Sequence, residues 1–149
     1  MFGGLVAWAA SPTVTFHRDG LEWYAQFDDD SEDNAVGYVG RAALVARRLR
    51  KDGYEGLAAR LRDAAADNPT AFVAYLGGIE VAEQGQGRGG ALLSATLVEL
   101  RRVGAHYVYL HASASSGRAI DLDRFYQARG FTRLVCCASD IYPVFVRQL

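Results

Sequence analysis

The chain is poor in the residues that staple a fold or coordinate a metal. Among 149 residues there are only two cysteines, and they are adjacent, Cys136 and Cys137. Neighbours on a strand point to opposite faces, which disfavours a disulfide between them, and their spacing is wrong for a metal pair. Both read as small strand residues. The three histidines, His17, His106 and His111, show no H-x-x-x-H spacing, so no metal site is expected. Charge of one sign is also missing. The formal net charge is −1, so no strong overall field draws the chain to nucleic acid or to an anionic membrane. The apolar run from Phe2 to Ala10 is too short to span a bilayer. No Lys or Arg precedes Arg18, so the basic start of a secretory leader is lacking. The run is expected to be a first strand or a buried segment, with no membrane partner and the cytoplasm as compartment. No internal repeat or low-complexity linker occurs.

What is present suits one enzyme-sized domain over residues 1–149. Half of the residues are hydrophobic and 22% are charged, ordinary values for a globular protein. Thr13 to His17 and Leu21 to Phe27 are rich in β-formers, and Asp19-Gly20 between them predicts a hairpin. Asp28 to Asn34 reads as an acidic polar loop, and Val36 to Val39 as a short strand. From Ala42 to Ala66 the apolar spacing is helical. Gly53 and Gly56 interrupt it, leaving two helices or one broken helix, and Asn68-Pro69 closes it.

The most informative stretch is Gln84 to Leu93, Q-G-Q-G-R-G-G-A-L-L. An apolar strand, Ala71 to Val81, precedes it, and a helical pattern follows at once. Glycines let the backbone approach a ligand closely. The first N–H groups of a helix lack internal partners and carry partial positive charge, so the loop predicts an anion, a pyrophosphate above all. No Lys-Ser or Lys-Thr pair follows the glycines, which excludes a Walker A loop. Gly85 to Gly90 does contain G-x-G-x-x-G. However, the strand comes halfway along the chain, and Ala105 to His111 lacks the acidic residue a dinucleotide site needs.

Gln84-Gly85-Gln86-Gly87-Arg88-Gly89 resembles the pyrophosphate loop of the GNAT superfamily of N-acetyltransferases, Gln/Arg-x-x-Gly-x-Gly/Ala. Phe125-Tyr126-Gln127-Ala128-Arg129-Gly130-Phe131 is similar to that family's second signature, with Gly130 placed to cap the helix that carries Tyr126. Between them lies a strand-like run, Ala105 to His111. The resemblance covers residues 71–149 and implies an acyl-CoA-binding half there, with residues 1–70 as a divergent acceptor-side half. It implies an α/β (α+β) fold: a mixed, mostly antiparallel central sheet flanked by helices, with a pyrophosphate loop opening the central helix. The order of elements departs from the family. A hairpin comes first, and the helical stretch stands directly before the loop strand.

The chemistry implied is transfer of an acetyl group from acetyl-CoA, as co-substrate, to an amine. Such an amine holds its proton to a pKa of about 10.4 and must lose it before attack, while the departing thiolate needs a proton. Tyr126 matches the family's general-acid position. Glu80, at the end of the loop strand, and His111, at the end of the next, are the candidate bases. The imidazole's ordinary pKa suits base work near neutrality. Alternation puts Tyr107, Tyr109 and His111 on one face and His106, Val108 and Leu110 on the other. The cofactor-binding candidates are Ile79 and Val81, through their backbone, and Gln84, Gly85, Gln86, Gly87, Arg88, Gly89 and Gly90. Arg88 suits phosphate oxygens. Gly77-Gly78 marks either a bulge or a turn. The partners implied are an acyl-CoA and an amine acceptor, a small molecule or a protein.

Two alternatives share the sequence evidence. One is a GNAT-fold enzyme acting on nucleic acid, docked through basic residues between Arg41 and Arg62. The other is a non-catalytic acyl-CoA-binding module. The strand from Tyr142 to Val146, if it lies at an edge, offers a route to a homodimer.

Overall fold

In the computed structural model the described residues are 13–29, 31–82, 87–113, 122–135, 137 and 139–149. The apolar N-terminal run and the loop residues Gln84, Gly85 and Gln86 lie outside them, as do Glu83 and Cys136.

The chain opens with the expected hairpin, β1 (Val14–Asp19) and β2 (Glu22–Phe27). Asp19 pairs with Glu22, which leaves a two-residue loop that begins at Gly20. Gly20 has φ +61°, which tight hairpin loops require and glycine takes without strain. The third strand, β3 (Asn34–Arg41), pairs antiparallel with β2. The helical stretch resolves into two helices, α1 (Ala42–Lys51) and α2 (Glu55–Asp67), broken at Gly53 with φ +93°. Then follow β4 (Phe72–Glu80), α3 (Arg88–Arg102), β5 (Tyr107–His111), α4 (Leu122–Gln127), β6 (Thr132–Leu134) and β7 (Val144–Gln148).

The seven strands form one sheet in the order β1-β2-β3-β4-β5-β7-β6. Every pairing is antiparallel except that of β4 with β5, which the α3 crossover joins in parallel. Because β7 is flanked by β5 on one side and β6 on the other, it is not an edge strand, and the edge route to a homodimer through it is closed. Cys137 is buried in the connection between β6 and β7 rather than on a strand.

Two cores lie on the two faces. Leu92, Leu93, Leu97 and Leu100 of α3 pack on Trp23, Ala25, Ala35, Ala74, Val108, Leu110 and Phe145, with Phe125 and Tyr126 of α4 beside them. On the opposite face α1 presents Ala42, Val45, Ala46 and Leu49 at i, i+3, i+4 and i+7, one helical stripe. These meet Leu57 and Leu61 of α2 and Val73, Tyr75 and Tyr109 of the sheet. The alternation expected along β5 is thus observed: Val108 and Leu110 enter one core and Tyr109 the other.

A bulge at Gly77 re-aims β4. Val36 pairs with Gly78 but Gly37 with Leu76, so Gly77 is the extra residue. One extra residue flips the side-chain parity. Ile79 therefore joins the α3 face instead of sharing the α1/α2 face with Tyr75. Of the two sequence readings of Gly77-Gly78, the bulge is the one observed.

Candidate functional site

The site is built where two parallel strands part. Pairing of β4 with β5 runs from Val73↔Tyr107 to Leu76↔Leu110 and stops there. Beyond that point β4 follows β3 as far as Glu80, and β5 follows β7 as far as His111↔Val144. On their facing sides Gly77 to Glu80 have no strand partner among the described residues. The backbone of Ile79 therefore stands in the wedge, as the resemblance implies for a strand that receives a ligand's arm. Val81 follows directly, half-buried against the α3 core.

At the end of β4 the glycine loop delivers the chain into α3. Gly87 is the N-cap, with φ +74°, and as a glycine it makes no side-chain cap bond, nor does another side chain among the described residues cap the helix. Its first N–H groups are thus left to an incoming acceptor. In the first turn Gly89 is half-buried and Gly90 is buried against Arg129. A Cβ on Gly90 would stand 2.3 Å from Nη2 of Arg129, whose guanidinium lies over the Phe125 ring at 3.9 Å. Arg88 is placed differently from a phosphate contact. It binds Asp33 through Nε, and its Nη2 donates to Asp29 at 2.9 Å and to Ser31 Oγ at 2.8 Å. Its guanidinium also lies over Phe27. Burial pushes the Asp33 carboxyl up, but the Ala82 N–H and Arg88 outweigh that and hold it below the usual range. The acidic loop is therefore tied to the start of α3 rather than simply solvated.

Tyr126 lies on the α3 face of this wedge. Its ring meets Phe131 at 5.6 Å and Phe145 at 5.7 Å, and Phe145 is the strand partner of Leu110. Burial raises its pKa, so the phenol stays protonated. The helix carrying it ends before Gly130, whose φ is +85°, as the sequence predicts.

His111 is one residue beyond Leu110 and so points to the other face. Tyr75 Oη lies 2.7 Å from its Nδ1, and Asp140 Oδ2 lies 2.8 Å from its Nε2. Tyr54 stacks on the imidazole with centroids 3.9 Å apart. Desolvation lowers the His111 pKa, partly opposed by Asp140. Burial would raise the Asp140 pKa, yet His111 and the N–H groups of Gly56 and Leu57 lower it below the usual range. An ionised carboxylate can only accept, so Nε2 carries the proton and Nδ1 accepts from the Tyr75 hydroxyl. Those two amides open α2, which has no cap of its own, so Asp140 caps α2 and orients His111 at once.

In front of Tyr75 lies a cavity of about 860 Å³. Its floor is the open face of the first strands, with Glu22, Tyr24 and Tyr38. Its wall is the end of α1, with Arg48, and the α1–α2 connection, with Asp52 and Tyr54, and its inner end is Tyr75 and Gly77. Tyr38 donates to Asp52 at 2.6 Å, and Arg48 pairs with Glu22 at 2.6 Å. Burial and Asp52 push the Tyr38 phenol up to about 12.

Of the two candidate bases, His111 is joined to this cavity through Tyr75. Glu80 is exposed, pairs with Asn34 across the strands, and is not among the cavity's lining residues. Tyr75, Tyr54 and Asp140 were not singled out from the sequence. They lie 36, 57 and 29 positions from His111, and no local pattern marks them. Among the described residues no group of three or more His, Cys, Asp or Glu could hold a metal ion, and no helix is long and apolar enough to cross a membrane.

No family model and no curated protein matches the sequence. The fold, however, matches solved structures. Over 87% of this chain it superimposes on 76% of an agmatine N-acetyltransferase, with a TM-score of 0.57 and 15% identity. Drosophila melanogaster polyamine N-acetyltransferase matches with a TM-score of 0.53 and 14% identity, over 87% of this chain and 75% of that one. A chain of the NatC complex bound to Gag peptide and CoA matches at 0.51 and 13%, over 87% and 71%. The fold is thus that of the GNAT N-acetyltransferases, a mixed and mostly antiparallel sheet flanked by helices. This chain carries its helical pair between β3 and β4.

Proposed function

We propose that the protein is an acetyl-CoA-dependent N-acetyltransferase that acts in the cytoplasm on a primary amine of a small molecule or a protein. The observation that carries this reading is the parting of β4 from β5 at Leu76 and Leu110, with Tyr126 on one face and His111 on the other. The likeness in fold to N-acetyltransferases for agmatine and polyamines supports it.

The uncapped start of α3 and the loop from Gln84 to Gly90 would hold the pyrophosphate, and the backbone of Ile79 and Val81 the pantetheine arm. When bound, the thioester supplies an activated acetyl group. The cavity would bind the acceptor: its tyrosines and the carboxylates of Asp19, Glu22 and Asp52 suit a cationic amine, beside Arg18 and Arg48. His111, oriented by Asp140, is the base that frees the amine of its proton. Tyr126, kept protonated by burial, donates the proton the leaving thiolate needs.

The test is thiol release from acetyl-CoA in the presence of alkyl, arylalkyl and guanidinoalkyl amines and an N-terminal peptide. Amine-dependent release, with the acetylated amine identified by mass, is expected. Binding of acetyl-CoA without turnover of any acceptor would leave only an acyl-CoA-binding module.

A further inference from the structure

The base at the wedge cannot be touched. The His111 side chain is 2% exposed. Nε2 is closed by Asp140, Nδ1 by Tyr75, and the ring face by Tyr54. An acceptor amine in the cavity therefore has no direct path to the imidazole. Tyr54 and Tyr75 both line the cavity and meet the imidazole, and of the two Tyr75, itself 4% exposed, is the one hydrogen-bonded to it. Tyr75 lines the cavity and holds its hydroxyl on Nδ1.

We propose that Tyr75 is the catalytic residue that takes the proton from the acceptor ammonium, with His111 and Asp140 acting through it as a relay. The inference rests on the acetyl-transfer reading and deepens it. In the step, an N–H bond of the ammonium breaks and its proton bonds to Tyr75 Oη. The hydroxyl's own proton passes to His111 Nδ1 at the same time. A neutral amine and an imidazolium result, and Nε2–H of the imidazolium stays on the Asp140 carboxylate. Returning that proton to solvent through Tyr75 restores the starting tautomer.

Acidic and phenolic groups surround the relay. Tyr75 is faced by Tyr54 and Asp52 from the α1–α2 connection, by Tyr38 from β3, and by Asp140 from the β6–β7 connection. His111 is faced by Asp140, and Tyr54 by Tyr142, Asp52 and Asp140. Two arginines line the cavity beside this group, Arg18 and Arg48, and Arg48 lies over Tyr38 and pairs with Glu22. The groups facing the relay include phenols and carboxylates, and among them Asp140 favours the imidazolium against the desolvation that lowers the His111 pKa. Phenol deprotonation is not required, because Tyr75 gives up one proton as it gains another. Burial, which holds the phenol protonated, is compatible with that role.

The experiment is the pH dependence of amine acetylation by the wild type, Tyr75→Phe, His111→Gln and the double variant. Tyr75→Phe keeps the ring that packs on Tyr38 and Tyr54, so the fold is retained. It is expected to lower kcat about 100-fold, to leave the KM for acetyl-CoA unchanged, and to abolish the rising limb of the pH profile. The double variant is expected to be no slower than the slower single one, as for residues acting as a unit. Nitrogen NMR of the wild type should show His111 protonated at Nε2 alone. A Tyr75→Phe enzyme within about threefold of wild type with the same limb would overturn the relay, as would multiplicative losses in the double variant or a His111 protonated at Nδ1. No turnover by the wild type with any amine would overturn the acetyl-transfer reading itself, and the relay with it.

Discussion

The acid role proposed for Tyr126 depends on what surrounds it. Phe125, Phe131 and Phe145 exclude water from the phenol and keep its proton on. Tyr126→Phe removes one hydroxyl and preserves this packing. It is expected to lower kcat by about 100-fold while melting temperature and acetyl-CoA affinity hold, as steady-state kinetics and thermal unfolding would show. Gly37 is a residue of another kind, fixed by the close approach of neighbours. A Cβ there would lie 1.8 Å from the Tyr75 carbonyl oxygen and 2.8 Å from the Trp23 ring. Gly37→Ala must push β4 away at the bulge, and is expected to cost about 3 kcal/mol in urea unfolding, the upper end for over-packing.

At the scale of elements, Asp140 ties three of them together. It sits between β6 and β7, caps α2, and orients a side chain on β5. Asp140→Ala removes a cap and leaves a buried imidazole N–H unpaired. The two losses together are expected to cost about 3 kcal/mol. Hydrogen exchange should quicken first at the amides of Gly56 and Leu57. Much of the element layout was legible in the sequence: the hairpin at Asp19-Gly20, the helical pair broken at Gly53, the strand-glycine-helix unit and the Gly130 cap are all set by neighbours in the chain. What was not legible is long-range. Asp140 reaches α2 across 84 and 83 positions, and Tyr75 meets His111 across 36. Arg88 was read as a phosphate contact because its partners Asp29 and Asp33 lie more than fifty residues back.

For the whole molecule, the buried histidine sets an acid limit. An unfolded imidazole titrates near about 6.5, and the folded His111 titrates lower. Between the two values the unfolded chain binds the extra proton, so stability falls as pH drops through that window and levels off below the folded value. Urea midpoints measured from pH 8 to 5 should fall accordingly, and His111→Gln should lose that part of the decline. Asp140, held below the usual carboxylate range, adds a further loss at lower pH, as its carboxylate becomes protonated.

In the proposed function the two faces of the sheet divide the labour, with the acyl donor at the start of α3 and the acceptor in the cavity before Tyr75. Everything in that account depends on the wedge and the glycine turn receiving an acyl-CoA. The most direct measurement is calorimetric titration of the protein with acetyl-CoA, beside a Gly87→Val variant. A β-branched residue at φ +74° is strained and would obstruct the turn. Saturable binding by the wild type, weakened about tenfold or more in Gly87→Val, is the predicted result. No binding by the wild type, or equal binding by both, would contradict it.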